Sequence, residues 1–235
     1  MKIGALIPCR TGSKEIPDKN FRMMCGKPLV KWTIEAAIES GVFEKIILSS
    51  DGGLRKWSLI DSKSHNPNML KPYNGVLQYD DDRPEEFATD GAQLDPLIRY
   101  YAQAFDSIEM WCLLQPTSPL RTVGDIKAAC KKASYKKYDS LVSVTPNPGM
   151  FWIEGAISTG NIATYSIKPR PNRQQRGGWY MENGAIYCVK SYVIWHTECR
   201  CAGSVALYKM PQERSIEIDT EFDWKICEYL LGGES

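Results

Sequence analysis

The sequence is poor in histidine, has almost no net charge and contains no long apolar run. Its 235 residues include two histidines, His65 and His196, which lie far apart. Twenty-nine basic residues face 28 acidic ones, and the net charge of +1 gives no overall field that would attract nucleic acid or an anionic membrane. No segment approaches the roughly 20 apolar residues that cross a bilayer, and the N-terminal apolar run is too short for a signal-peptide core. These absences favour a globular, cytoplasmic protein without nucleic-acid or membrane partners.

Zinc-type cysteine spacing is also missing. The eight cysteines are scattered at positions 9, 25, 112, 130, 188, 199, 201 and 227. Cys199 and Cys201 form the one close pair, and no second pair of cysteines or histidines accompanies it. Most of the others lie in apolar segments, where a thiol behaves as a small hydrophobic group. The pattern predicts reduced thiols in a reducing compartment, without a metal cluster.

Two common phosphate-binding motifs are absent as well. Gly26-Lys27 is followed by Pro28, which has neither the hydroxyl nor the N–H that a P-loop needs at this position. The chain also contains no G-x-G-x-x-G. An NTPase loop and a dinucleotide fingerprint are therefore excluded.

Strand-like and helix-like segments alternate through residues 1–145. Short apolar runs such as KIGALIP and IEMWCLLQ predict strands, whereas LVKWTIEAAIES has the apolar spacing of a helix. This order predicts an α/β fold with a mostly parallel sheet flanked by helices. Residues 146–182 are rich in Pro, Gly and Asn and predict an inserted hairpin with a long loop. Residues 183–235 return to strand and helix patterns, so we predict a core of 1–145 and 183–235.

The loop after the first strand is strongly basic. It runs from Pro8 to Asn20, and it contains three cations, a glycine and a hydroxyl: Arg10, Lys14, Lys19, Gly12 and Ser13. Parallel sheets bind ligands at the carboxyl ends of their strands, and these groups together match a polyphosphate. A solvated surface loop has the same composition, so both interpretations stay open at this point.

Two later segments carry further candidates. Glu217 and Asp219 in IEIDTEFD would share one face of a strand and could hold a hard cation, although a helix start capped by Asp219 or Thr220 has the same pattern. Gln115 ends a predicted buried strand in LLQPTSPLR, where its amide could reach a ligand over the sheet edge. An ordinary strand-to-helix turn, followed by a helix capped at Thr122, would have the same sequence pattern.

In this order the motifs resemble the acylneuraminate cytidylyltransferase (CMP-sialic acid synthetase) family, with its CMP-legionaminate, CMP-pseudaminate and CMP-KDO synthetase relatives. The matching stretches IPCRTGSKEIPDKN, LLQPTSPLR, NGAIY and IDTEFD span the chain. The resemblance implies a three-layer, Rossmann-like nucleotidyltransferase fold, a small β-rich dimerisation insert at 146–182 and a homodimer. It also implies a reaction: the anomeric hydroxyl of a 2-keto acidic sugar attacks the α-phosphate of CTP, giving CMP-sugar and pyrophosphate, with Mg²⁺ as cofactor.

The resemblance assigns roles by position. The nucleotide ligands it implies are Arg10, Gly12, Ser13, Lys14, Lys19, Asn20 and Arg83. The sugar contacts are Gln115, Arg173 and Asn183, and the Mg²⁺ ligands are Glu217 and Asp219. Four of these residues, Arg10, Lys19, Gln115 and Asp219, are the predicted catalytic group.

Several positions depart from the family pattern. Glu217 stands where aspartate is usual, Glu15 replaces a glycine in the first loop, and Met181 lies where an arginine is frequent. Three arginines of the insert could supply the missing cation or could lie in a solvated loop: Arg170, Arg173 and Arg176. The departures leave open a catalytically reduced or inactive nucleotide-binding homologue that acts as a scaffold. A nucleotidyltransferase for an aldose phosphate is the other alternative, which QPTSPLR and IPDKN disfavour.

Overall fold

The structure, a computed structural model, describes residues 1–56, 75–89, 91–155, 162–176 and 178–232. Its strands are β1 (Ile3–Pro8), β2 (Met23–Met24), β3 (Lys27–Pro28), β4 (Lys45–Ser49), β5 (Leu77–Asp80), β6 (Met110–Leu114), β7 (Ser140–Pro146), β8 (Trp152–Ile153), β9 (Ile162–Ala163), β10 (Tyr180–Lys190) and β11 (Val205–Lys209). The helices are α1 (Leu29–Ser40), α2 (Gly53–Lys56), α3 (Leu94–Ala104), α4 (Val123–Ala133), α5 (Ser191–Thr197) and α6 (Glu221–Gly232). None of the helices in these ranges has the length and apolarity of a membrane-spanning segment.

Seven strands form the central sheet in the order β11-β7-β10-β6-β1-β4-β5. All neighbours pair in parallel except β10, which is antiparallel to both β6 and β7. The prediction of a mostly parallel sheet is therefore confirmed. Because the other six strands run the same way, the loops that follow β1, β4, β6 and β7 leave from one edge of the sheet.

Helices cover both faces of the sheet. Successive side chains of a strand point to opposite faces, and along β1 Ala5 and Ile7 belong to one apolar cluster while Leu6 belongs to another. Buried residues of α1 and α4 complete the first cluster, and those of α3 and α5 complete the second. The predicted three layers are thus present, which explains why the central strands are apolar on both faces.

A third apolar cluster joins the first loop to the C-terminal region. Ile16 of the loop is fully buried against Ile218 and Trp224, the latter on α6. α6 begins with a capping arrangement, in which the Asp223 carboxylate accepts from the Thr220 hydroxyl at 2.7 Å and the Thr220 N–H at 2.8 Å. This packing brings the basic loop beside the carboxylates that precede α6.

Two features escaped the sequence prediction. Helix α5 was not predicted because its seven residues, SYVIWHT, are mostly aromatic or β-branched and carry no helical period. β10 is continuous from Tyr180, so its first three residues lie on the insert side of the predicted boundary at 182/183. The short hairpin β8–β9 lies in the insert, where a hairpin was predicted.

Three cysteines that are distant in sequence meet in the core. The sulfur atoms of Cys112, Cys130 and Cys188 lie within 4.8 Å of one another, and Cys112 and Cys188 are cross-strand partners on β6 and β10. Burial raises the pKa of the Cys112 thiol well above its usual range. Spacing along the chain could not reveal this cluster, because its members come from two strands and a helix.

Candidate active site

A cavity of about 230 Å³ lies at the carboxyl ends of β1 and β6, against the segment that precedes α6. Eight of the predicted site residues line it: Arg10, Ser13, Lys19, Asn20, Arg83, Gln115, Glu217 and Asp219. Apolar side chains, including those of Pro8, Phe87 and Leu94, form the rest of its wall. The sheet topology therefore gathers groups that are spread over more than 200 residues of sequence.

The first loop is held in place by its own side chains and by the neighbouring strand. The Asn20 amide donates to the carbonyl of Arg10 at 2.9 Å, which closes the loop on itself. The Asp51 carboxylate, just beyond β4, accepts from the Thr11 N–H at 2.7 Å and from the Thr11 hydroxyl at 2.9 Å. Gly12 follows with φ +73°, a left-handed conformation that glycine adopts without strain. The loop is thus preformed, and a solvated, unstructured face is the poorer description.

Lys19 connects the basic loop to the acidic segment. Its ammonium donates to the carbonyl of Ile218 at 2.7 Å and lies 3.5 Å from an Asp219 carboxylate oxygen. The Ile218 N–H in turn donates to the carbonyl of Thr117 at 2.8 Å. Glu217 and Asp219 are thereby fixed alongside the Gln115–Thr117 turn, in a segment without regular secondary structure ahead of the helix cap, and not in a strand.

Glu217 lies partly buried between two donors and a glycine. Its carboxylate accepts from the Gln115 amide at 3.0 Å and from the Thr117 hydroxyl at 3.3 Å. Gly184, at φ +66°, leaves the space for it, since a Cβ there would lie 2.5 Å from the Glu217 Cδ. Burial, together with the nearby Asp219, raises the pKa of the Glu217 carboxyl above its usual range. A cation at this position would offset that cost.

Arg83 lies deeper in the cavity wall. Its Nε donates to the Ser49 hydroxyl at 2.9 Å and one Nη donates to the Ser49 carbonyl. Burial lowers the pKa of its guanidinium, which still stays protonated at neutral pH. The strand ends of β4 and β5 thus present a fixed positive charge.

Four predicted site residues do not line this cavity. Gly12 and Lys14 are exposed on the outer side of the first loop. Asn183 is buried in the interior, where its amide accepts from Ser143 at 2.6 Å and donates to Ser215 at 2.9 Å. Arg173 begins the 3-10 helix Arg173–Gln175, but its side chain lies outside the described residues.

Two contributors to the cavity were not singled out from the sequence. Thr117 lies inside the QPTSPLR motif, two residues after Gln115. This short separation from a predicted site residue was the signal by which the sequence could have identified it. Gly184 lies inside NGAIY, but its contact with Glu217 depends on a pairing of distant segments. Such residues can be identified from the sequence only when the segment that they contact is already known.

The cavity carries charges of both signs. Arg10, Lys19 and Arg83 supply three cations, and Glu217 and Asp219 supply two carboxylates. Such an arrangement suits an anion of several charges that arrives with a divalent cation. Mg²⁺ needs only one or two protein carboxylates beside phosphate and water, so Glu217 and Asp219 fit that ion.

The family model for cytidylyltransferases matches residues 4–54, from β1 to α2. Among curated proteins, the N-acylneuraminate cytidylyltransferase of Escherichia coli O18:K1:H7 (strain RS218 / NMEC) is 32% identical, over 96% of this chain and 51% of the relative. N-acylneuraminate cytidylyltransferase A of Danio rerio is 31% identical, over 96% and 50%. The CMP-N,N'-diacetyllegionaminic acid synthase of Legionella pneumophila subsp. pneumophila (strain Philadelphia 1 / ATCC 33152 / DSM 7513) is 29% identical, over 98% and 97%. The chain is therefore similar to cytidylyltransferases over almost its whole length.

Solved structures support the fold of the protein. A CMP:2-keto-3-deoxy-manno-octonic acid synthetase complexed with CTP superposes with a TM-score of 0.65 at 13% identity, over 99% of both chains. The 4-diphosphocytidyl-2C-methyl-D-erythritol synthase of Anaerococcus prevotii DSM 20548 gives 0.71 at 13% identity over the same shares. The chain spans about half the length of the Escherichia coli and Danio rerio relatives, covering 51% and 50% of them.

The protein has a second, larger cavity beside the first. Its volume is about 540 Å³, and ten described residues line it: Thr145, Pro146, Asn147, Pro148, Gly149, Arg176, Met181, Gln212, Ser215 and Ile216. Ile216 lines this cavity and the next residue, Glu217, lines the smaller one, so the two are neighbours across one short segment. Met181, at the position where the family resemblance predicts an arginine, lies in this wall.

Proposed function

We propose that this protein transfers a cytidylyl group from CTP to the anomeric hydroxyl of an acidic 2-keto sugar. The hydroxyl oxygen would form a bond to the α-phosphorus of CTP while the hydroxyl loses its proton. The bond from the α-phosphorus to the oxygen that bridges it to the β-phosphate would break, and pyrophosphate would leave. One observation carries the proposal: three cations and two carboxylates line one cavity at the strand ends of a sheet whose first segment matches the cytidylyltransferase family model.

The smaller cavity is assigned to the triphosphate. Arg10 and Lys19 would bind phosphate oxygens, Asn20 would hold the loop closed behind them, and Arg83 would lie on the nucleotide side. Glu217 and Asp219 would hold Mg²⁺, which supplies neutralisation of charge on the phosphates when bound. Phosphoryl-type transfer asks the protein mainly for positioning and for charge stabilisation, and these side chains offer both.

The acceptor is assigned to an acidic 2-keto sugar of the sialic acid type. The relatives support this choice, since they include an N-acylneuraminate cytidylyltransferase and a CMP-N,N'-diacetyllegionaminic acid synthase. Gln115 donates to Glu217 through its amide nitrogen, so its carbonyl oxygen remains able to accept from a sugar hydroxyl. Sugar and nucleotide would therefore meet at Gln115 and Glu217.

We also propose that the enzyme acts as a homodimer in the cytoplasm. The insert exposes large apolar side chains that suit burial against a second copy: Phe151, Trp152, Ile153 and Trp179. All eight cysteines are unpaired, as suits a reducing compartment. Sedimentation equilibrium of the purified chain tests the dimer, and a strict monomer would contradict it.

Pyrophosphate release tests the reaction directly. CTP and Mg²⁺ are combined with sialic, legionaminic, pseudaminic and 3-deoxy-octulosonic acids in turn, with UTP or GTP and a sugar 1-phosphate as the comparison. We expect release with CTP and at least one acid, and a product with the mass of the CMP-sugar. Binding of CTP without release on any acid would overturn the proposal. Arg10→Ala serves as the internal check, with an expected loss of roughly 100-fold because a charge-assisted phosphate contact disappears.

A further inference from the structure

A chain of buried hydrogen bonds leads from Arg83 in the smaller cavity into the second apolar cluster. The Arg83 Nε donates to the Ser49 hydroxyl at 2.9 Å, and the Ser49 oxygen lies 2.7 Å from the phenol oxygen of Tyr101. The Tyr101 hydroxyl donates in turn to the Asp80 carboxylate. Ser49 and Asp80 are partners at the ends of β4 and β5, and Tyr101 reaches them from α3. Two strand ends and a helix thus converge on one arginine.

One placement of the protons satisfies every contact in this chain. An arginine Nε can only donate, so the Ser49 oxygen accepts from it and the Ser49 hydrogen is left for the Tyr101 oxygen. The single hydroxyl hydrogen of Tyr101 then goes to Asp80, because a carboxylate can only accept. Burial raises the pKa of the Tyr101 hydroxyl, and the bond to Asp80 raises it further, so this hydrogen stays in place at neutral pH. All three bonds point toward Asp80, and bonds in one direction polarise one another.

Arg83 is held without a carboxylate in direct contact. None of the ion pairs within the described ranges includes Arg83, and the carboxylate of its neighbour Asp82 pairs with Arg55 at 2.8 Å. A direct ion pair would occupy the Nη donors of Arg83 and cancel its charge locally. A countercharge that lies two hydroxyl groups away orients the guanidinium through Nε and leaves Nη donors for an anionic ligand.

We propose that Tyr101 is a positioning residue of the nucleotide site, which holds Arg83 through Ser49 and connects it to the countercharge of Asp80. The inference rests on the proposed function for what Arg83 binds, and it names the groups that keep Arg83 ready. Tyr101 is 3% exposed and does not line the smaller cavity, and neither Ser49 nor Asp80 lines it. These three residues therefore act on a nucleotide only through Arg83.

A double-mutant cycle on CTP binding tests the proposal without turnover. CTP with Mg²⁺ is titrated by calorimetry into the parent, Tyr101→Phe, Arg83→Ala and the double variant. We expect CTP to bind roughly 5–20-fold more weakly to Tyr101→Phe and roughly 30–100-fold more weakly to Arg83→Ala. The double variant should match Arg83→Ala within about twofold, because Tyr101 has no other route to the ligand. Losses that multiply, or no loss in Tyr101→Phe, would overturn the proposal.

Ser49→Ala provides a second background that removes no charge. It breaks the chain between Tyr101 and Arg83, so Tyr101→Phe should add less than about twofold to its loss of CTP affinity. This pair takes the place of the first if Arg83→Ala does not fold. A further loss of fivefold or more in the Ser49→Ala background would contradict the chain.

Tyr208→Phe is the matched control. The Tyr208 hydroxyl also bonds to a carboxylate, that of Asp125 at 3.1 Å, but Tyr208 does not line the smaller cavity and has no contact with Arg83 among the described residues. We expect its Tm to fall while its CTP affinity stays within about twofold of the parent. In turnover, Tyr101→Phe should raise the KM of CTP and leave the KM of the sugar acid within about twofold. An equal rise of both KM values would indicate a general loosening and would overturn the positioning role.

The two proposals fail differently. Coupled losses of CTP affinity, without pyrophosphate release on any acid, would uphold the positioning role and overturn the transfer. Turnover by the parent together with losses that multiply would overturn the positioning role and leave the transfer intact. Absence of CTP binding to the parent would overturn both.

Discussion

The two neighbouring cavities are built in different ways. In the smaller one, Lys19, Arg83 and Glu217 already bond to backbone or side chains, and their positions follow from strand ends and a buried cluster. In the larger one, the Thr145 hydroxyl and the Arg176 Nε have no hydrogen-bond partner among the described residues, and part of the wall comes from the insert. The comparison indicates that the first site is held in place by its own hydrogen bonds, whereas the shape of the second depends also on where the insert packs.

The largest effect is expected where the preformed site meets phosphate. Lys19→Ala should lower kcat/KM for CTP by roughly 100-fold or more, because its ammonium lines the cavity and its charge-assisted contact with phosphate would be lost. Lys14→Ala is the matched variant from the same loop: its side chain is exposed and does not line the cavity, so we expect a loss below about tenfold. Steady-state kinetics at saturating sugar acid give both values. Equal losses would contradict the geometry of the loop.

Glu217→Gln should produce the next largest effect. The amide keeps the shape and one acceptor but removes the negative charge, so kcat/KM for CTP with Mg²⁺ should fall by roughly 10–100-fold. Titration of Mg²⁺ should show that the variant needs more metal than the parent does. An unchanged metal requirement would indicate that Asp219 holds the ion without Glu217.

Although Glu217→Gln should lower activity, it should raise the stability of the metal-free protein relative to the parent as the pH rises. Burial raises the pKa of Glu217 above 4.5, so the folded state binds this proton more tightly than the unfolded state does. The parent therefore loses stability as the pH rises above the unfolded pKa, and the loss is complete above the folded pKa. The difference in Tm, variant minus parent, should thus be more positive at pH 7 than at pH 4. Calorimetric scans without metal measure it, and the reverse trend would refute the burial argument.

A smaller effect is expected from the glycine that makes room for Glu217. Gly184→Ala combines a left-handed backbone with a Cβ 2.5 Å from the carboxyl carbon, and should lower the unfolding free energy by about 2–4 kcal/mol and activity by roughly tenfold. Gly41→Ala is the control, because Gly41 has φ +62° and no atom within 4 Å of its Cβ position. Its expected cost is about 1–2 kcal/mol without loss of activity. Urea titrations give the unfolding free energies of both variants. Similar losses in the two would show that the clash with Glu217 does not contribute.

Much of the preformed site could be predicted from the sequence because its determinants are local. Apolar strands followed by polar loops locate Arg10, Lys19 and Gln115 at one sheet edge, and the capping pattern at Thr122 is confirmed, with its hydroxyl accepting from the Asp125 N–H at 3.2 Å. What could not be predicted depends on distant pairings. Gly184 beneath Glu217 and the meeting of Cys112, Cys130 and Cys188 each join separate elements.

The insert was the harder region for the same reason. Its turn residues predict a hairpin and a loop, but its short strands do not specify which arginine faces a cavity. The sequence pattern does not separate Arg170, Arg173 and Arg176. In the structure Arg176 lines the larger cavity and donates to the Pro148 carbonyl, whereas Arg170 does not line that cavity. Distant contacts, not local propensity, decide this region.

The smallest effect is expected at Glu15, which the sequence marks as a negative charge inside the basic loop. Glu15 is exposed and does not line the smaller cavity. Water weakens the interaction between two exposed charges to about 0–1 kcal/mol, and salt screens it further. Glu15→Gln should therefore change kcat/KM for CTP by less than about fivefold, with the small change fading between 50 and 300 mM salt. A gain of tenfold or more that persists in high salt would mean that Glu15 reaches the phosphates, and the loop would then have to close further over CTP than it does here.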